Sequence, residues 1–589
     1  MINTTREDEE LKEGLKRDVL KRLFSCLLAY KSKVITVICL ILATVGMMIA
    51  YPLLIQHVID DVIVDRDTKG LWTFMGICIG LALANFVCTI LWRRIMARVS
   101  NEVVLNLRQN LYEHIQCLGL DFFDSRPAGK ILARVTGDVN ALKDVLSSGI
   151  TQFIPEVVTV VAVFAVMLCV SPLLTLCAVA AFPFIIVGVF LCEILAHKRW
   201  QLLRKKESNM SAFIHENIAG ISVIQSFGAV EESKKEFDEI VDDHRNSFFH
   251  AVLCSDLFSP TVEVSYCVGG FLIYLVAIRV LHVDAASVGT LVAFMSYLGM
   301  FFGPVRNLAN FYNKLITNIS AAERVFEIMD TEPLVRDEDG AVELPDPVGK
   351  VEFKNVDFAY PDEPDKAVLQ HVDFLVKPGE TVALVGPTGA GKTTIVSLLC
   401  RFYNTTGGQV FIDDHDIRTV TVHSLREKLG IMTQDNYLFS GTIAQNIRYG
   451  RPDASMEEIV AAAKAVHVHD FILSLPKGYD TVIEERGGGL SIGQRQLIAF
   501  ARTLVSNPGI LILDEATSNI DTGTEILIQQ GIEELLKNRT SFVVAHRLST
   551  IRNADRIFVI DGGGIEESGS HEELMERQGA YYRLYTAQQ

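Results

Sequence analysis

Six apolar runs, all before about residue 315, limit what this chain can become. They lie at 34–55, 71–92, 149–170, 173–195, 252–281 and 288–311. An α-helix rises about 1.5 Å per residue, so crossing a hydrocarbon core of roughly 30 Å takes about 20 apolar residues. Each run reaches that length with few charges, and no comparable run follows the sixth. With no water to satisfy backbone N–H and C=O groups in hydrocarbon, such spans must be helical. The sequence therefore predicts an α-helical membrane domain of six transmembrane helices over 33–315, then something of another kind. A hydrophobic content of 49% and a positive mean hydropathy of +0.28 over 589 residues agree with that division.

The segments between the runs are unequal. The one between runs two and three is long and carries Arg93, Arg94, Arg98, Arg108, Arg126, Lys130, Arg134 and Lys143. The one between runs four and five is also long and opens HKRWQLLRKK. The loops after runs one, three and five are short and poor in Lys and Arg. By the positive-inside rule the long segments and both termini face the cytoplasm. Both long segments have helical periodicity, so the membrane helices are expected to extend into the cytoplasm.

Residues 1–32 read as a cytoplasmic N-terminus with an amphipathic helix at 11–27. Its Lys16, Arg17, Lys21 and Arg22 are interleaved with Leu and Val, as in a helix lying on the inner membrane surface. The opening MINTTREDEELKEG is acidic and polar, unlike a cleaved signal peptide. Of the eleven cysteines, Cys39, Cys78, Cys88, Cys169, Cys177, Cys192, Cys254 and Cys267 fall in the apolar half. They are expected to act as small buried hydrophobes, and their spacing suits neither zinc nor a disulfide framework. A net charge of −17 and a pI near 5.4 argue against a nucleic-acid partner, since a phosphate backbone demands a basic surface.

Residues 316–348 read as a linker. From 349 to 589 the chain alternates strand-like runs, glycine turns and charged segments, as a single α/β domain does. The run VALV at 382–385 suits a buried parallel strand. It leads into Gly386, Pro387, Thr388, Gly389, Ala390, Gly391, Lys392 and Thr393, and a helical run begins at Thr394. Strand, glycine-rich loop and helix in this order form a phosphate loop of the P-loop NTPase type. Its glycines let backbone N–H groups curl round phosphates, and the helix N-terminus adds partial positive charge. Lys392 is expected on the β- and γ-phosphates and Thr393 on Mg²⁺. A second run, ILIL at 510–513, ends in Asp514 and Glu515. A carboxylate at a strand's C-terminal end suits Mg²⁺, and the next could polarise an attacking water. Alone, the pair reads equally well as a helix cap. A third run at 541–545 ends at His546, which could contact a γ-phosphate or be structural.

The domain resembles the nucleotide-binding domain of the ABC transporter family, and the whole chain resembles an exporter-type half-transporter. The motifs stand in the family's order. Tyr360, in FAYPD, matches the aromatic that stacks on adenine. Gln434, in MTQDNYLFSGT, matches the glutamine that senses Mg²⁺ and the membrane domain. LSIGQ, containing Ser491, Gly493 and Gln494, matches the signature. Asp514 and Glu515 match the magnesium aspartate and catalytic glutamate, SNID with Asp521 the loop coupling two sites, and His546 the switch histidine. In the apolar half, DFFDSRPAG at 121–129 and ENIAG at 216–220 resemble the two cytoplasmic coupling segments. The resemblance implies ATP and Mg²⁺ as cofactors, and a phosphate loop, Gly386 to Thr394, that holds ATP. It implies catalysis by Glu515 with His546, Gln434 and Lys392, Mg²⁺ on Thr393, Gln434 and Asp514, and a bacterial inner-membrane location.

It also explains why one chain carries a second glycine-rich helix start, GGGLSIGQRQ at 487–496, with only one phosphate-loop lysine. In the family that segment serves the ATP held by another subunit, so a second half-transporter is implied. The signature usually reads LSGGQ, and Ile492 replaces a glycine here; the coupling loop usually reads SALD, and here it is SNID. An altered signature beside an intact Glu515 favours a heterodimer over a homodimer.

The expected function is ATP-driven export of a small amphipathic molecule, lipid or peptide by alternating access. Import by an exporter-like architecture and an ATP-gated channel or regulatory subunit are the alternatives. The transported substrate is not legible. Glu156, Glu193, Asp256 and Glu263 are acids in or near the spans, and Glu263, close to Pro260 and Tyr266, is the expected cation contact.

Overall fold

The computed structural model describes residues 17–180, 182–279, 288–433, 436–514, 522–544 and 551–588. The chain divides into two compact units. One holds Met1–Glu113 and Gly129–Asp330, the other His114–Ala128 and Thr331–Gln589.

The first unit is helical. Its long helices are Lys31–His57, Thr68–Cys117, Ile154–Val170, Phe182–Ala219, Val230–Asp256, Phe258–Arg279 and Val288–Asp330. Thr68–Cys117 has 50 residues. At about 1.5 Å each it far exceeds a bilayer core, as the helical periodicity beyond run two requires. Among the described residues, four stretches are long and apolar enough to cross a membrane: Asp18–Val62, Thr68–Cys117, Ala128–Val170 and Val230–Ile278. Val288–Phe301 is a shorter apolar helix. The expected fourth span, 173–195, falls on the helices Pro172–Val179 and Phe182–Ala219, with residue 181 outside the described residues. The helix Val288–Asp330 runs on into the expected linker without a break.

Lys31–His57 shows why the bundle holds together. Val37, Ile41, Val45 and Ile49 recur every fourth residue and are all buried, forming one stripe. The Tyr297 hydroxyl donates to the Ile49 carbonyl at 2.8 Å, so a buried polar tip is satisfied inside the apolar contact. Arg324 clamps Asp138 with two bonds of 2.6 and 2.8 Å, a forked geometry open to Arg and not to Lys. The eight cysteines of the apolar half differ from expectation: each is exposed or half-buried. Apolar side chains on a membrane helix can point outward because the surroundings are themselves apolar. Among the described cysteines, only Cys400 of the second unit is buried.

Among the described residues the second unit has twelve strands: β1 (Val351–Ala359), β2 (Ala367–Val376), β3 (Thr381–Val385), β4 (Gly407–Ile412), β5 (His415–Asp416), β6 (Leu429–Met432), β7 (Gly441–Thr442), β8 (Val482–Ile483), β9 (Ile510–Asp514), β10 (Thr540–Val544), β11 (Arg556–Asp561) and β12 (Gly564–Gly569). A six-stranded sheet has the order β12-β11-β3-β10-β9-β6, parallel except for β12. A second, antiparallel sheet runs β2-β1-β4-β5. β3, β9 and β10 are almost wholly apolar and buried, as parallel strands covered on both faces must be.

Arg401 is a buried cation that sews this unit together. It is 1% exposed, and its guanidinium donates to the carbonyls of Val420 at 2.7 Å and Arg336 at 2.8 Å. Burial holds its pKa below the usual range, opposed by Asp337, Glu338 and Asp416. Arg401→Met should keep much of the volume but strand both carbonyls, at about 1–3 kcal/mol for each buried group. The calorimetric unfolding midpoint of the purified protein should fall by several degrees; an unchanged midpoint would show that the two bonds contribute nothing net.

Candidate functional site

The strand edge where β3, β10 and β9 end carries Asp514 and leads into the loop before Lys392. Val544 on β10 is level with Leu384 on one side and Asp514 on the other. Asp514 therefore stands two strands from the point where β3 gives way to its loop. Crevices at the carboxyl ends of parallel strands are where such sheets bind ligands.

The loop after β3 is shaped by glycine. Gly386, Gly389 and Gly391 have φ of +152°, +86° and +105°. A Cβ on Gly386 would lie 2.2 Å from the Ile560 carbonyl oxygen, and one on Gly391 would lie 2.7 Å from Leu369 Cδ2. Both positions thus combine a left-handed backbone with no room for a side chain. Gly391 caps the helix Lys392–Leu399, so its first N–H groups point to the loop's concavity.

Lys392 is the charged group of this loop. Its Nζ donates to the carbonyls of Gly386 at 2.7 Å and Pro387 at 2.9 Å. The side chain is only 8% exposed. Burial pushes the Lys392 ammonium down, while the Asp514 carboxylate acts in the opposite sense. Among the described residues the ammonium donates to neutral carbonyls, which compensate a buried cation less well than a charged acceptor would. Thr393 is exposed at the start of the helix, with its hydroxyl available to a ligand. Thr394 is buried, and its hydroxyl meets the Tyr360 hydroxyl at 3.0 Å.

Tyr360 follows the end of β1 and is held on two further sides. Its ring lies edge-on to Phe358 at 4.9 Å and to Tyr403 at 5.3 Å. Tyr403 in turn donates its hydroxyl to Asp124 Oδ2 at 2.8 Å. Burial first, and then Asp124, push the Tyr403 phenol far above its ordinary pKa. Asp124 ends the short helix Leu120–Asp124, whose Phe122 is 2% exposed beneath the Arg126 guanidinium at 4.6 Å. Sequence reading singled out the stretch around Asp124 but neither this aspartate nor Tyr403. The only local signal was an aromatic in CRFYN just past the phosphate-loop helix.

Ser491 caps a 15-residue helix, Ile492–Ser506. Its hydroxyl accepts from the Gln494 N–H at 3.2 Å, and the Gln494 side chain accepts from the Ser491 N–H at 2.9 Å. This reciprocal box uses the Gln494 side chain locally. Ile492 is an ordinary helical residue, 47% exposed. Gly493 is needed for packing: a Cβ there would lie 2.2 Å from Thr524 Cγ2. Gln434, Glu515, Asp521 and His546 lie outside the described residues.

Residues 34–305 match the family described as ABC transporter transmembrane region, and residues 369–518 match the one described as ABC transporter. The chain is 36% identical over 583 residues to an ATP-dependent lipid A-core flippase of Syntrophus aciditrophicus, covering 98% of this chain and 96% of the relative. It is 39% identical over 516 residues to a fatty acid ABC transporter ATP-binding/permease protein of Mycobacterium tuberculosis, covering 86% and 81%. The structure of a bacterial Atm1-family ABC exporter with ATP bound superposes with a TM-score of 0.77 at 29% identity, covering 95% of this chain and 98% of that one. A membrane helical domain and an ATP-binding domain fused in one chain make a half-transporter, which works with another half. The chain belongs to the ABC transporter family and is an ATP-hydrolysing, multi-pass exporter-type half-transporter of the bacterial inner membrane, its nucleotide-binding domain in the cytoplasm.

Proposed function

We propose that this half-transporter exports a small amphipathic molecule, a lipid or a peptide by alternating access, each ATP being held between its phosphate loop and the LSIGQ segment of a second half. The observation that carries the reading is the buried Lys392 ammonium, which donates to the Gly386 and Pro387 carbonyls inside a loop of left-handed glycines. An ATP γ-phosphate offers that cation a charged acceptor in place of neutral ones. Export rather than uptake is supported by the likeness to an Atm1-family exporter and to a lipid A-core flippase.

In this reading Tyr360 stacks on adenine, and the loop from Gly386 to Thr394 surrounds the phosphates. Thr394 contributes by fixing the Tyr360 hydroxyl. Thr393 and Asp514, with Gln434, are the hard oxygen donors that would hold Mg²⁺. When bound, that ion neutralises charge developing between the β- and γ-phosphates. Glu515 orients and polarises the attacking water, and His546 contacts the γ-phosphate. Ser491 and Gly493, at the start of a long helix, and Gln494 and Asp521 serve the ATP of the other half. Loss of the γ-phosphate removes the bridge, and the two domains separate, driving the membrane helices between states. The altered signature supports a heterodimer, and a stable, active dimer of this chain alone would overturn that part.

Two variants separate binding from chemistry. Glu515→Gln should bind ATP and trap a closed dimer while phosphate release falls by about 10²–10⁴-fold. Undiminished hydrolysis would remove Glu515 from its assigned role. Lys392→Ala should weaken ATP binding itself by at least about tenfold, since a charge-assisted contact is worth about 1.5–3 kcal/mol. ATP-dependent accumulation of a fluorescent amphiphile in inside-out vesicles tests export, and ATP-dependent loss from preloaded vesicles would indicate import.

Tyr403 is a positioning residue for Tyr360 in this account. Tyr403→Phe keeps the ring contact and loses the bond to Asp124. The KM for ATP should rise several-fold with kcat nearly unchanged. Asp124→Asn, which keeps an acceptor oxygen, should stay near wild type, whereas Asp124→Ala should match Tyr403→Phe. Equal effects of the two Asp124 variants would show that the hydrogen bond is not the cause.

A further inference from the structure

The membrane unit holds a cavity of about 600 Å³ walled by the helices Lys31–His57, Thr68–Cys117, Ile154–Val170 and Val288–Asp330. Thr44, Asn85, Arg93, Glu156, Ser296 and Asn307 give it polar walls. Side chains such as Met48 and Met300 supply the apolar part. A cavity of this size is in the range that holds a small molecule.

Two charges of opposite sign face this space without meeting each other. Glu156 is half-buried, and its Oε1 accepts from Asn307 Nδ2 at 2.6 Å. Asn307 is neutral, so it satisfies part of the carboxylate and leaves the charge in place. Arg93 stands over the Trp92 ring at 5.4 Å. Among the described residues, neither group has an oppositely charged partner within 4 Å.

Depth makes the Glu156 charge costly. Glu156 lies seven residues beyond the cytoplasmic start of the run at 149–170, about 10 Å along a helix. Arg93 is the first residue past the cytoplasmic end of the run at 71–92. Glu156 therefore lies within its span on the inner-leaflet side, and the exposed Arg93 stands at the cytoplasmic boundary of its own. A charge at membrane depth costs several kcal/mol unless it faces water or finds a partner, and such residues mark substrate paths. A ligand carrying one sign would relieve one of the two charges and be repelled by the other. A ligand carrying both, with an apolar tail, would relieve both and fill the remaining surface.

We propose that this cavity binds an amphiphile with a zwitterionic head group, its ammonium on Glu156 and its anionic oxygen on Arg93. The inference rests on the exporter reading, which makes the occupant the transported molecule. It also moves the expected acid contact. Glu263 is exposed on Phe258–Arg279 and does not line this cavity.

The test is displacement of radiolabelled lysophosphatidylethanolamine from the purified transporter in an uncharged detergent. Competitors are the unlabelled zwitterion, dodecylamine as the cation and lysophosphatidylglycerol as the anion. The zwitterion should compete at least about tenfold better than either singly charged amphiphile, an advantage of about 1.4 kcal/mol. Glu156→Gln should weaken the zwitterion and the amine together, and Arg93→Gln the zwitterion and the anion together. Glu156→Asp, which keeps the charge, should retain the wild-type order, and this guards against a folding defect in Glu156→Gln. Equal competition by all three amphiphiles, or zwitterion binding untouched by both neutral variants, would overturn the assignment. A zwitterion that binds as proposed but is never accumulated in energised inside-out vesicles would instead refute the export reading and leave the site standing.

Discussion

A cation held in a loop of left-handed glycines is the constraint on which the rest of this molecule depends. Lys392 is buried beside a loop whose Gly386, Gly389 and Gly391 have positive φ, and at Gly386 and Gly391 a side chain would also clash. Its ammonium donates to two loop carbonyls, which stabilise the charge incompletely. The loop therefore keeps a standing electrostatic demand for an anion, at the edge where β3, β10 and β9 end. The sheet beneath supplies rigidity: apolar strands packed on both faces deform little, so a shift at the loop must be taken up elsewhere.

The aromatic wall beside the loop shows where such a shift would first be felt. Tyr360 touches Thr394 on the phosphate-loop helix, Phe358 behind it and Tyr403 at its side. Tyr403 is bonded to Asp124. His114–Ala128 lies between membrane-domain segments in the chain yet packs within the nucleotide unit. Its neighbours in sequence are helices of the membrane unit, so the covalent chain passes from one unit to the other and back at this point. One phenol thus contacts both Tyr360 and a residue of that segment.

The membrane unit follows a different rule. Its exposed cysteines and large exposed apolar side chains would be faults in water and are ordinary in lipid. What is unusual there is charge. Asp138 and Arg324 satisfy one another through a forked pair. Glu156 and Arg93 line the same cavity without doing so.

The sequence by itself determined a great deal. Apolar runs of bilayer length dictated a helical membrane half, because hydrocarbon leaves the backbone no other partner. The strand-loop-helix order around Lys392 and the spacing of the later motifs dictated the nucleotide domain, because phosphate recognition is local and rests on a few backbone angles. Tertiary structure alone decided the rest. The pairing of Tyr403 with Asp124 joins residues 279 positions apart. The packing of Gly493 against Thr524 shows that a signature glycine also serves a helix contact. Glu156 rather than Glu263 lines the cavity because of which helices assemble around it and how each is turned about its axis. Such rotation is set by side-chain packing among distant segments, and a linear pattern of apolar residues that is nearly uniform around each helix carries almost no record of it.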